Sequence, residues 1–249
     1  LSTLTAEQVL LDHKRFLTII DDTFEDERKE KIINMYNHFG DRLLTCPASS
    51  IRHFHLAEGG GYIHHVLNVI DFSEKIMELY HTLGGDVEFT DEERIFAAMH
   101  HDLGKLGTVD QPYYITNESK WHREHQGKLF IINPKLNYME VMDRTFFLLQ
   151  YFNIQYSPNE FYGIRLADGM FEEANKAYFK DFQGTKTMSS NIAYVIHWAD
   201  YMATRAEVDS LRRSDTAQAE KILNIIDSPP VKNKPPTPHV KTLVELFGE

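Results

Sequence analysis

The stretch Met99-His100-His101-Asp102-Leu103-Gly104-Lys105 limits what this chain can fold into more than any other. A helix is predicted to run into it from Asp91, because Thr90 and Glu93 form a capping box that satisfies the first free N–H groups. Ile95, Ala98 and Met99 mark the buried face of that helix, and Asp102 continues the face two turns on from Ile95. A carboxylate on the core side must be paired or bind a cation, since an isolated buried charge would neutralise instead. His101 and Asp102 therefore read as metal ligands, with Gly104 ending the helix and Lys105 just beyond it. The competing explanation is a solvated helix end whose histidines compensate the helix dipole.

One His and one Asp do not hold a divalent ion, which takes about four to six ligands, so other helices must supply the rest. Two segments offer them. Between Gly59 and Ile70, read as a helix, His65 shares a face with Val69, Phe72 and Ile76, whereas His64 falls with Asn68, Asp71 and Lys75 on the polar side. Helical geometry thus selects His65 as the inward ligand. Further on, Ile192, Ile196, Ala199 and Ala203 form an apolar stripe with Asp200 at its edge.

A His, then a His-Asp pair, then a distant Asp on a late helix resembles the HD-domain superfamily of metal-dependent phosphohydrolases. The match rests on His65 within Gly60-Gly61-Tyr62-Ile63-His64-His65, on His101-Asp102-Leu103-Gly104-Lys105, and on Asp200 within Trp198-Ala199-Asp200-Tyr201. It covers roughly residues 46–210. Pro47-Ala48-Ser49, followed by His53-Phe54-His55 and the glycine run, also resembles, more loosely, the HD domain of bacterial 3′ to 5′ exoribonucleases. Superfamily members with two metals usually add histidines, including a His-His pair before the last Asp. The comparable place here is Ala167-Asp168-Gly169, so the resemblance implies one ion, with His125 and Asp168 the candidates for a second.

Nearly every long pattern has a 3.6-residue period, so the expected fold is all-α, an HD-domain-like helical bundle around a metal pocket. Residues 1–45 are expected to be a helical extension, 46–226 the HD-type catalytic domain, and 227–249 a proline-rich linker with a short amphipathic helix. Helices are predicted from Thr5 onward with Val9, Leu10, Phe16 and Leu17 inward, over 26–39, from Gly61 to about Leu83, over 138–152 with Tyr138 in the core, over 157–166, 190–211 and 216–226. A turn and a short extended piece are expected at 109–115.

With 37 acidic against 26 basic residues the net charge is −11, which disfavours a long polyanion as substrate. The single cysteine, Cys46, cannot form an intrachain disulfide, and no apolar run approaches the roughly 20 residues that span a bilayer, so a cytoplasmic setting without membrane contact is expected. Mixed imidazole and carboxylate ligands suit manganese, iron, cobalt, nickel or zinc, with magnesium also admissible. The expected activity is hydrolysis of a phosphomonoester or phosphodiester of a nucleotide or related small molecule by metal-activated water. His65, His101, Asp102 and Asp200 would hold the ion, and Asp102 and Lys105 are the catalytic candidates. Lys105, with Arg123 or His122, would offset charge on the phosphoryl oxygens or protonate the leaving oxygen. Lys120, Arg52 and His53 are further candidates for substrate contact. The alternatives are a 3′ to 5′ exonuclease on single-stranded RNA or DNA and a catalytically silent HD-type regulatory module, either of which can be oligomeric.

Overall fold

The computed structural model describes residues 4–180, 188 and 190–226, the stretch 217–226 as backbone only. The described chain is mostly helical: α1 (Ala6–Thr23), α2 (Asp26–Phe39), α3 (Asp41–Thr45), α4 (Gly61–Thr82), α5 (Asp91–His100), a 3-10 turn at Leu103–Leu106, strand β1 (Tyr114–Thr116), α6 (Lys120–Gln126), strand β2 (Phe130–Ile132), α7 (Val141–Tyr151), α8 (Pro158–Arg165), two further 3-10 turns at Gly169–Phe171 and Glu173–Asn175, α9 (Lys176–Phe179) and α10 (Ile192–Ile226). Two compact units divide it, Leu1–Leu211 and Arg212–Glu249. The second is described only through its helical part, to Ile226. Among the described residues no helix is long and apolar enough to cross a membrane.

The predicted caps start their helices. Thr5 accepts from the backbone N–H of Gln8, while Thr90 with Glu93, and Ser157 with Glu160, form reciprocal capping boxes. Pro158 takes the first helical position of α8, where its missing N–H costs nothing.

The centre of the first unit is α4, buried along Tyr62, Ile63, Val66 and Val69. Phe16 and Ile20 of α1, and Ile32, Met35 and Phe39 of α2, belong to the same core as Phe96 and Met99 of α5 and Ile196 and Ala199 of α10. Helices α1 and α2 therefore contribute directly to this core.

Three expectations are corrected. Leu10 is 62% exposed, because α1 turns Phe16 and Ile20 inward and leaves Leu10 on the outer face. Tyr138 is 89% exposed, since α7 begins only at Val141 and the residues before it lie outside its helical register. The two helices predicted over 190–226 are one, α10. Nothing between Leu211 and Thr216 breaks a helix, and the Thr216 hydroxyl donates to the carbonyl of Arg212 one turn back instead of capping a new start. The proline-rich stretch 228–238 and the segment Val240 to Phe247 lie outside the described residues.

Gly163 shows how closely α8 approaches its neighbours. A Cβ there would stand 2.6 Å from the Ala97 Cβ and 3.4 Å from Ile196 Cγ1. Replacing a helical glycine by alanine ordinarily gains up to about 1 kcal/mol. Overpacking a filled contact costs about 1–3 kcal/mol. Gly163→Ala is expected to lower stability on balance, and chemical denaturation showing a rise in midpoint would contradict this packing.

Candidate metal centre

Four side chains from three places in the chain meet beside the buried face of α4. His65 of α4 is fully buried, and its Nε2 lies 3.1 Å from Oδ1 of Asp200 on α10 and 3.8 Å from Oδ2 of Asp102. The Nε2 of His101, just after α5, lies 3.5 Å from Asp102 Oδ2 and 3.8 Å from Asp200 Oδ1. The two imidazole rings are 5.4 Å apart. Both Nε2 atoms are buried and, among the described residues, neither makes a hydrogen bond, which in a core is costly unless a cation satisfies them.

The other ring nitrogens are engaged. Nδ1 of His101 lies 2.8 Å from the Ala98 carbonyl, which can only accept, so Nδ1 carries the proton and the neutral ring keeps its lone pair on Nε2. Nδ1 of His65 lies 3.0 and 3.1 Å from the two oxygens of Glu207, which also accepts from Asn68 at 2.8 Å. A carboxylate or carbonyl behind each imidazole is the usual support of a metal-binding histidine.

The loop after Asp102 is held just as firmly. Gly104 N–H donates to the Thr145 hydroxyl, and the buried Arg144 donates to the carbonyls of Gly104 and Met139. A Cβ at residue 104 would stand 1.9 Å from the Val141 carbonyl oxygen, so only glycine lets α7 approach. Lys105 then turns back, its ammonium 2.6 Å from Asp102 Oδ2.

The electrostatics call for a cation. Burial alone would raise the carboxyls, yet Lys105 and His101 hold Asp102 well below the ordinary range, and His65 holds down both Asp200 and Glu207. Burial lowers the His65 imidazole, but Glu207 and Asp200 outweigh it and carry it up to about 10. His101 is likewise raised by Asp102 against burial. Three carboxylates and one ammonium leave two negative charges in the cluster when both imidazoles are neutral. A divalent ion matches that balance, and the donor set suits a transition metal or magnesium.

His65, His101 and Asp102 form one group able to hold a metal ion; His55, His65 and Glu207 form another. The His55 ring lies 4.9 Å from that of His65, and burial, reinforced by His65, lowers it to about 3, so it is neutral. The groups compete for His65. Its Nδ1 is directed to Glu207, which leaves Nε2 for the side of His101, Asp102 and Asp200.

Of the remaining sequence candidates, Asp168 lies within electrostatic reach of the centre, and the others sit on α6 or at residues 52–53. Asp168 is exposed at the end of α8, and the surrounding protein, then Asp102 and Asp200, raise its carboxyl. His125 does not join either metal-capable group: it is exposed on α6 and stacks on Trp121 at 5.3 Å. His122 is exposed on the same helix, Lys120 pairs loosely with Glu124 at 3.8 Å, and Arg123 is committed to the Asn117 carbonyl. These α6 residues are therefore surface or structural groups. Arg52 and His53 are exposed, and Arg52 borders an open cleft of about 710 Å³ that Glu207 also lines. Sequence reasoning missed Glu207, although its position seven residues after Asp200 on one helix face was a usable signal.

Family models, curated proteins and solved structures yield no match to the chain.

Because His65 is protonated when protons are the only cations present, metal binding is expected to release a proton, and apparent affinity should rise with pH up to about 10. Calorimetric titration with Mn²⁺ or Zn²⁺ in buffers of different ionisation enthalpy measures the release. Glu207→Gln is expected to weaken binding about 10- to 100-fold. Unchanged affinity in that variant would remove Glu207 from the centre.

Proposed function

We propose that the chain is a metal-dependent phosphohydrolase of the HD-domain type, acting on a phosphoester of a nucleotide or related small molecule. The observation that carries the proposal is the meeting of two buried, unpartnered imidazole nitrogens with two aspartates, in the order His65, His101-Asp102, Asp200. These four residues would hold the ion. A divalent cation bound there supplies Lewis acidity and a water acidified toward neutral pH.

The chain's own groups supply the rest. Asp102 and Asp200 reach the surface, with side chains 14% and 23% exposed, so a phosphoester can approach from their side while the imidazoles stay dry. Lys105 is fully charged at neutral pH, because Asp102 outweighs the effect of burial. Among the described residues one of its three N–H donors is engaged, on Asp102, which leaves two to offset charge building on the phosphoryl oxygens. Of the two residues expected to share this task, Arg123 donates to the Asn117 carbonyl and His122 is exposed on α6. The net charge of −11 favours a compact phosphate over an extended polyanion.

Turnover of a nucleotide panel is expected to vanish on exhaustive chelation and to return on adding back a divalent ion. His101→Ala and Asp200→Asn are expected to lose both metal content and turnover while keeping their helical circular dichroism. Full activity in either folded variant would refute the assignment. Trimming of short single-stranded RNA with no action on mononucleotides would make the protein an exonuclease instead.

A further inference from the structure

A two-stranded hairpin stands beside the candidate centre, the one sheet among the described residues. In its antiparallel register Tyr114 faces Ile132 and Thr116 faces Phe130. Side chains alternate along a strand, so Tyr114, Thr116 and Phe130 share one face. Those three line a cleft of about 400 Å³ together with Pro47, Tyr113 and Lys105.

Lys105 belongs to both places. It borders this cleft while its ammonium rests on Asp102 of the candidate centre. Arg42, also at the cleft, is not a second free cation, since its guanidinium donates to the carbonyls of Leu106, Thr108 and Val109. The Tyr113 ring already has Arg144 4.8 Å from its centroid. Tyr114 and Phe130, with centroids 6.4 Å apart and tilted by 55°, remain as the aromatic surface. Burial raises the Tyr114 phenol to about 12, so it is a neutral group, and its hydroxyl makes no hydrogen bond among the described residues. Aromatic walls, a neutral phenol and a cation at one end describe a site for a flat apolar ring attached to an anion.

We propose that the β1–β2 cleft binds the planar base of the substrate against Tyr114 and Phe130, with Lys105 meeting the phosphate where cleft and metal centre join. This rests on the phosphohydrolase reading and narrows it: the preferred substrate is a nucleoside monophosphate, recognised through its base. The volume is near the lower end of the range of about 300–1,000 Å³ for ligand pockets, which suits one nucleoside and not a run of nucleotides.

The test titrates the metal-loaded full chain with the four common nucleoside 5′-monophosphates and with ribose 5-phosphate, by calorimetry, and follows phosphate release in parallel. Stacking on an aromatic side chain is worth about 1–3 kcal/mol per base, so the best nucleotide should bind at least about five-fold tighter than ribose 5-phosphate. Phe130→Ala should bring that ratio toward one, and Phe130→Tyr should retain it. Thr116→Trp, which fills the cleft from an exposed strand position without deleting the hairpin's aromatics, should also abolish the preference. Ribose 5-phosphate binding as tightly as every nucleotide, or a ratio that survives both Phe130→Ala and Thr116→Trp, would overturn the proposal. Hydrolysis with no dependence on the base sinks the cleft and spares the phosphohydrolase reading. A base preference abolished by these variants, with no phosphate released from any nucleotide, upholds the cleft and sinks that reading.

Discussion

The hydrogen bond from His65 Nδ1–H to Glu207 is the contact on which the arrangement turns. It joins α4 to α10 through a ring with no solvent exposure. In the low dielectric of that site an ionised carboxylate is tolerable only when its partners are fixed, and Glu207 has two, His65 and Asn68. The bond also decides chemistry. By holding the proton on Nδ1 it presents the Nε2 lone pair to Asp102, Asp200 and His101, so one interaction sets helix position, tautomer and the direction of the ligand atom.

The opposite side of the centre is built by packing. Gly104 admits the start of α7, Arg144 and Thr145 fasten the backbone of the turn, and Asp102 and Lys105 are placed by that turn and not by their own side-chain preferences. Arg144 is 2% exposed and interacts with carbonyls and the Tyr113 ring instead of a carboxylate. Polar groups fixed in advance in this way need little reorganisation when charge develops nearby.

Much of this was legible because it is local. The Thr90 and Ser157 capping boxes fix two helix starts, and the 3.6-residue period separates inward His65 from His64, which turns to Asp12. The same period marks Asp102 and Asp200 as acids bordering core faces. What escaped is relational. Glu207 matters only through His65, 142 residues away in sequence, and its place two turns after Asp200 on one helix face gains meaning only once that meeting is seen. The Lys120 to Lys128 segment misled for the converse reason: His122 and His125 have ligand-like spacing, but α6 is seven residues long, wholly at the surface, and packs neither histidine inward. β2 carries too few residues to show a period at all.

Charge balance links the centre to the kind of ligand it would take. The buried cluster carries two excess negative charges with neutral imidazoles, and a bound divalent ion cancels them, leaving no net positive field to extend into solvent. Within a Debye length of about 8 Å of the surface an approaching anion would then be repelled by the acidic protein in proportion to its own charge. On the proposed reading a long polyanion would carry that repulsion along its whole length, whereas a single phosphate would meet it once and recover it in direct contact with the ion and Lys105. Recognition in such a site must come from short-range contacts, and the aromatic cleft that shares Lys105 is where they are available.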